Sequence, residues 1–320
     1  SLRRGGVGGE VGGLPLGGEE GEIEPEPELA ERPTITFADI GGLGDIKERI
    51  RMAIIYPFQQ PDLFAAYGKT AGGGLLLYGP PGCGKTYIAR ATAGEMGARF
   101  LNVGISDVLD MWHGKSEHKL HALFETARRT RPTVLFFDEI EALGGNRLDM
   151  HQHFQRTLVN QFLAELDGAE GDNSGVLVIG ATNSPWHVDS ALRRPGRFDK
   201  VVFVAPPDEA ARHDILRLHL RGKPAGEDAD AARIAHETEG YSGADLRALV
   251  DTAAEAALQE AMRTGRLAPI TTQGLLRALR QQRPSTIEWL TTAKNYAVYS
   301  NEGGLYDEVA AYLRAHKMLR

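Results

Sequence analysis

Five short, almost wholly apolar runs punctuate the chain: residues 75–78, 99–103, 133–137, 176–181 and 200–204. They lack the alternation of a strand with one wet face, so they predict strands buried on both faces of a parallel sheet. Helical periodicity fills the gaps, at residues 86–96, 115–129 and 155–166. Strand alternating with helix predicts a doubly wound α/β unit over residues 34–206, built on a five-stranded parallel sheet. Past Pro206-Pro207 the apolar runs stop. Residues 208–220, 229–238, 243–263 and 271–281 read as helices of a small all-helical unit over 207–283. Ser242-Gly243-Ala244-Asp245 has the form of a capping box opening the longest of them. A second capping-box pattern, Ser285-Thr286-Ile287-Glu288, opens a helical extension over 284–320. Its aromatics (Trp289, Tyr296, Tyr299, Tyr306, Tyr312) predict docking on the helical unit, with a partner contact as the alternative.

Residues 1–33 break this pattern. Nine glycines fall in the first 21 positions, and glutamates alternate with prolines after them. So little apolar surface cannot offset the entropy of ordering, which predicts a solvated linker that joins a preceding domain or adaptor. This segment carries a balance of −5 out of a net −7, so the remainder is nearly neutral. A basic surface for duplex nucleic acid is therefore not expected. No run approaches the length of a membrane span. The single cysteine, Cys83, excludes an internal disulfide framework and fits a reducing, cytoplasmic setting.

The chemistry begins at Gly79-Pro80-Pro81-Gly82-Cys83-Gly84-Lys85-Thr86. This is the spacing of a phosphate-binding P-loop, after a predicted strand and opening a helix. Glycines let backbone N–H groups turn towards phosphate oxygens, and the helix N-terminus adds partial positive charge. Lys85 is expected on the β- and γ-phosphates of ATP and the Thr86 hydroxyl on Mg²⁺. The run 133–137 ends in Asp138-Glu139, which delivers two carboxylates to the same sheet edge. Asp138 is expected to hold the metal, and Glu139 to orient and deprotonate the attacking water.

With these and other ordered motifs, residues 37–281 resemble the AAA ATPase family, in the subgroup with katanin, spastin, NSF and the ATPase half of FtsH. The pattern is that of a single-ring member of bacterial type. Phe37-Ala38-Asp39-Ile40-Gly41-Gly42-Leu43 is similar to the family's entry segment against adenine. Ala181-Thr182-Asn183 matches the sensor-1 position, where the Asn183 amide can touch the γ-phosphate or the water. The family continues with Arg-Pro; here Ser184-Pro185-Trp186 follows, read as local variation. Residues 191–199 resemble the arginine-finger segment, which implies Arg194 and Arg197 as fingers reaching a neighbouring subunit's γ-phosphate. His219 matches a family histidine near the ribose or base, and Gly243-Ala244 the small residues against adenine. The resemblance implies a catalytic set of Lys85, Glu139, Asn183, Arg194 and Arg197. It implies nucleotide contacts at Asp39, Ile40, Gly41, Pro81, Gly82, Cys83, Gly84, Lys85, Thr86, Tyr87, Asp138, His219, Gly243 and Ala244, with Thr86 and Asp138 on Mg²⁺.

Asp110-Met111-Trp112-His113-Gly114-Lys115-Ser116-Glu117 resembles pore loop 1. Trp112 would grip polypeptide in the channel of a homo-oligomeric ring, a hexamer, with His113 adding titratable charge. Lys115 stands where the family often has an acid. Residues 144–154 match pore loop 2 by position, with Arg147, His151 and His153 as candidate contacts, and Asp167-Gly168 the segment that senses the neighbour's nucleotide. The implied activity is remodelling or unfolding of proteins. A nucleic-acid motor or a nucleotide-gated scaffold shares the same core and stays open at this point.

Overall fold

The computed structural model describes residues 30–68, 73–109, 115–144, 152–169, 171–226, 228–301 and 303–319. The chain enters through a two-residue strand, β1 (Ala30–Glu31), and a 3-10 turn, Phe37–Asp39. There follow α1 (Gly44–Ile50), a π-helical turn (Arg51–Ile55), α2 (Tyr56–Gln59) and α3 (Pro61–Ala66). Strands and helices then alternate: β2 (Leu75–Tyr78), α4 (Lys85–Glu95), β3 (Arg99–Gly104), α5 (Ile105–Leu109), α6 (Lys115–Arg129), β4 (Thr133–Asp138), α7 (Gln152–Leu166), β5 (Val176–Thr182) and β6 (Lys200–Phe203). The helical unit comprises α8 (Glu209–Leu220), α9 (Ala231–Glu237), α10 (Gly243–Thr264) and α11 (Thr272–Leu279), and the extension comprises α12 (Thr286–Tyr299) and α13 (Asp307–Ala315).

The sheet order is β1-β3-β4-β5-β2-β6, and β2 to β6 are parallel. Each strand divides its side chains between two cores. Leu75 and Leu77 lie in one and Leu76 in the other; Val134 and Phe136 oppose Leu135 and Phe137 in the same way. Both faces are covered by helices, which is why the runs are apolar without alternation.

Three expectations need correction. The sheet has six strands among the described residues, not five, because Ala30 and Glu31 pair antiparallel with Leu101 and Phe100. The predicted linker therefore ends inside the fold. β3 would otherwise be an edge with unpaired backbone groups, and Glu31 gains an ion pair with Arg90 at 2.7 Å. Second, α7 begins at Gln152, so the last three residues of the predicted polar loop 144–154 are helical. Third, Ser285 makes no side-chain cap on α12. Its hydroxyl instead donates to Asp245 of α10 at 2.9 Å, and Thr286 donates to the Gly240 carbonyl. The extension is thus tied to the helical unit where a local cap was expected.

The bases of α6 and α7 are locked by a buried charge. The Glu165 side chain is fully buried and accepts from Arg128 Nη2 at 2.7 Å and His121 Nδ1 at 2.6 Å. Asn173, in the loop leading to β5, donates to the Glu165 carbonyl at 2.7 Å and accepts from Arg128 Nε at 3.1 Å. Removing Glu165 takes the buried partner from Arg128, whose side chain is itself buried, and leaves it only the exposed Glu125 at 2.8 Å. Glu165→Ala should therefore lower unfolding free energy by about 3–5 kcal/mol in a urea titration; a loss below about 1 kcal/mol would show that the network contributes little.

Candidate functional site

β2 ends at Tyr78, and the chain must turn at once to begin α4 at Lys85. Gly79 makes the turn with φ +153°, where a side chain would strike the Val204 carbonyl. Gly82 has φ +74° and a Cβ there would collide with Ala244 and Ser242 of the helical unit. Both positions need glycine: Gly79 passes the Val204 backbone and Gly82 the side chains of the helical unit, each at a positive φ with no room for a Cβ. Lys85 is 6% exposed, and its Nζ donates to the carbonyls of Gly79 at 2.9 Å and Pro80 at 2.8 Å. The ammonium so braces the loop it belongs to. Burial pulls its pKa down to about 8, against the opposing pull of Cys83, Asp138 and Glu141.

The register brings the other groups alongside. Tyr78 pairs with Thr182, and β4 beside β5 ends at Asp138, so the loop, Asp138 and Asn183 emerge on one edge. The Thr86 hydroxyl donates to Asp138 Oδ2 at 3.4 Å. Two hard oxygens meeting at the mouth of a phosphate loop suit Mg²⁺, which takes one or two protein ligands and completes its shell with water and phosphate. Among the described residues no cluster of three His, Cys, Asp or Glu offers an all-protein metal site. Glu139 sits at φ +55°, a left-handed backbone rare for a non-glycine residue, with its N–H on Asp138 Oδ1 at 2.9 Å. That conformation costs about 1–2 kcal/mol and turns the carboxylate away from the strand direction.

Asn183 lies one residue past β5. Its N–H donates to Glu141 Oε1 at 3.2 Å, and its side-chain amide has no hydrogen-bond partner among the described residues. Glu141 was missed in the sequence. Its other oxygen is buried without a partner among the described residues, and its charge helps keep Lys85 protonated. The visible signal was an acid two residues past Glu139, on the turn that leaves the strand.

Asp39, Ile40, Gly41, Gly82, Cys83, Gly84, Tyr87, His219, Gly243 and Ala244 all line one cleft of about 1590 Å³ between the α/β and helical units. Pro81, Lys85, Thr86, Asp138, Glu139 and Asn183 are not among its lining residues; they lie in the loop after β2, at the start of α4, and at or just past the ends of β4 and β5. The Ala244 N–H donates to the Gly82 carbonyl at 3.2 Å, so the helical unit touches the loop directly. Lys47, also missed, donates to the Ile40 carbonyl at 2.5 Å and fixes the entry segment. The His219 imidazole is held below its usual pKa by burial, then by Lys223 and Arg247, against Asp251. It lines the cleft. Burial pushes the Cys83 thiol up to about 12, which makes it a packing residue and not a nucleophile.

Arg194 and Arg197 are not brought to this edge. Arg197 accepts at its carbonyl from Gly74, at the start of β2, whereas Lys85 follows the end of that strand. At about 3.3 Å per residue the two ends lie about 13 Å apart. Arg197 is half-buried in a bidentate pair with Asp167 at 2.7 and 2.8 Å, which holds that carboxyl below its usual range. Arg194 is exposed. Trp112, His113, Arg147 and His151 lie outside the described residues, as does the side chain of His153.

Known proteins are similar to this chain over the α/β and helical units. Residues 75–206 match the family described as ATPase family associated with various cellular activities (AAA), and residues 228–272 match the AAA+ lid domain. Protein SAV of Sulfolobus acidocaldarius is 45% identical over 221 residues, 69% of this chain and 28% of the relative. A cell division cycle protein 48 homolog of Archaeoglobus fulgidus is 39% identical over 268 residues, 80% of this chain and 36% of the relative. A putative cell division cycle ATPase of Plasmodium falciparum is 40% identical over 229 residues, 71% and 19% respectively. The chain thus spans at most 36% of the length of these curated relatives.

The Lys85 pKa gives a signed prediction. A bound phosphate holds the ammonium protonated, so above about 8 nucleotide binding must take up a proton. ADP affinity should be flat from pH 6.5 to 7.5 and fall by about tenfold per pH unit above 8, with proton uptake in paired-buffer calorimetry. Affinity unchanged up to pH 9.5 would mean that Lys85 does not meet the phosphates.

Proposed function

The chain belongs to the AAA ATPase family through its ATPase domain, residues 75–206, and its lid, residues 228–272, and from this we propose that it hydrolyses MgATP to remodel protein substrates as a cytoplasmic homo-oligomeric ring, a hexamer. The observation that supports this best is the shared edge of Lys85, Thr86, Asp138, Glu139 and Asn183, with Arg194 and Arg197 at the far end of the same sheet. In this reading Lys85 leaves the Gly79 and Pro80 carbonyls for the β- and γ-phosphates. Thr86 and Asp138 would hold Mg²⁺, which would neutralise phosphate charge. Glu139 accepts the proton of the water that attacks the γ-phosphorus, and the Asn183 amide orients that water as ADP departs.

Because the Arg197 backbone lies at the opposite end of β2 from Lys85, we read Arg194 and Arg197 as serving another copy's phosphates. Arg194 and Arg197 of one subunit would complete the site of the next, a heterologous contact that closes into a ring. Trans arginines of this kind contribute about 10³–10⁵ in rate. For Arg197 the Asp167 pair must first open. The polypeptide substrate is read from the resemblance of residues 110–117, with Trp112 and His113 in the channel.

Glu139→Gln should bind ATP while losing turnover by about 100-fold or more, and Arg197→Ala should also be inactive alone. Mixing the two should restore part of the ATPase activity, since intact sites then form between unlike subunits; a mixture as inactive as its components would sink the shared-site reading. Trp112→Ala should abolish unfolding of a fluorescent substrate protein while ATP binding survives. Unfolding at the native rate in that variant would remove the polypeptide from the channel.

A further inference from the structure

The ladder between β5 and its neighbours stops at Thr182, which pairs with Tyr78, while β4 pairing stops at Gly180. Asn183 is the next residue, so the sheet holds neither its N–H nor its C=O. A side chain meant to meet a reacting water within a few tenths of an ångström would then hang on free backbone. Two groups outside the sheet take over. Glu141 accepts from the N–H at 3.2 Å, and the indole Nε1–H of Trp289 donates to the carbonyl at 2.5 Å.

Trp289 comes from α12, beyond both matched regions. It is itself fixed on every side. The indole is 8% exposed, stacks on Phe203 at 5.9 Å and 11°, and meets Trp186 at 5.8 Å. Trp186 in turn stacks on Tyr296 at 5.0 Å and 3°. The Ser184-Pro185-Trp186 departure from the family pattern is therefore one half of a contact whose other half is α12. On the lid side, Asp245 accepts from the N–H and hydroxyl of Ser285 at 3.1 and 2.9 Å, one turn before Trp289.

We propose that Trp289 is a positioning residue for Asn183: its indole N–H, against Glu141 on the opposite side, holds the backbone that aims the Asn183 amide at the γ-phosphate. The inference rests on the ATPase reading above. A misplaced group of this kind costs rate at the chemical step and leaves nucleotide affinity in place.

The test is steady-state ATPase kinetics on four proteins: wild type, Trp289→Phe, Asn183→Ala and the double variant. Trp289→Phe keeps a ring on Phe203 and removes the donor. It should lower kcat by about tenfold with the KM for ATP within about twofold. In the Asn183→Ala background the same change should lower kcat by less than about twofold, because no amide remains to aim. Replacing Trp289 by β-(3-benzothienyl)alanine, which keeps the indole shape without the N–H, should reproduce the kcat loss at native thermal stability. This arm carries the test if the phenylalanine variant fails to fold. An equal kcat loss in both backgrounds, or full kcat in the benzothienyl protein, overturns the positioning role. Absence of ATPase activity in the wild type would instead overturn the reading on which it rests.

Discussion

Parallel register at one edge of the sheet organises the site. β2, β4 and β5 run side by side with Leu77 opposite Ala181 and Phe137 opposite Gly180, so their carboxyl ends arrive together. Burial on both faces enforces this. A slip of one residue would exchange the side chains of the two cores, sending Phe136 and Val134 into space shaped for Phe137 and Leu135. The phosphate loop, the paired acids and Asn183 are thus brought to one edge by hydrophobic packing that lies mostly beneath them, reaching the site itself at Cys83 and at Trp289. The polar groups need only local adjustment: a left-handed residue at Glu139, a glycine at Gly79, a buried ammonium bridging two carbonyls.

Much of this was legible in the sequence, and for physical reasons. Apolar runs of four to six residues without alternation, set between helical stretches, fit doubly covered strands, and a P-loop spacing between such a run and a helix predicts the loop's geometry. The cleft residues from Asp39 to Ala244 were named from motifs and share one cavity. What escaped was long-range or dependent on partner identity. Nothing near Ser285 shows that its hydroxyl serves Asp245, 40 residues upstream, in place of capping its own helix. A two-residue strand such as Ala30–Glu31 has no periodicity to read, and it exists because the β3 edge offers backbone groups. Glu141 and Lys47 act by contacts to backbone, which residue type alone does not announce.

The aromatic extension was expected on the helical unit, and its core lies elsewhere. Trp289, Tyr306, Val309 and Leu313 pack on Tyr78 and Phe203, the ends of β2 and β6. The Tyr78 hydroxyl donates to the Leu305 carbonyl at 2.8 Å, and Glu308 reaches both the Phe203 N–H at 3.2 Å and Arg49 at 2.8 Å. Large rings bury area at small entropic expense and also carry polar tips. One layer therefore seals the open end of the sheet and supplies donors to it.

The helical unit is consequently anchored twice. The chain leaves the α/β unit beside Val204, whose N–H bonds Tyr78 and whose carbonyl crowds Gly79, and it returns at Trp289, against Asn183. Between these two anchors the Ala244 N–H meets the Gly82 carbonyl, so the helical unit also bears on the phosphate loop itself. A wall tied at both ends and propped in the middle shares any load with what it leans on: a substitution that shifts the helical unit is felt at Gly82 and at Asn183, though it lies at neither.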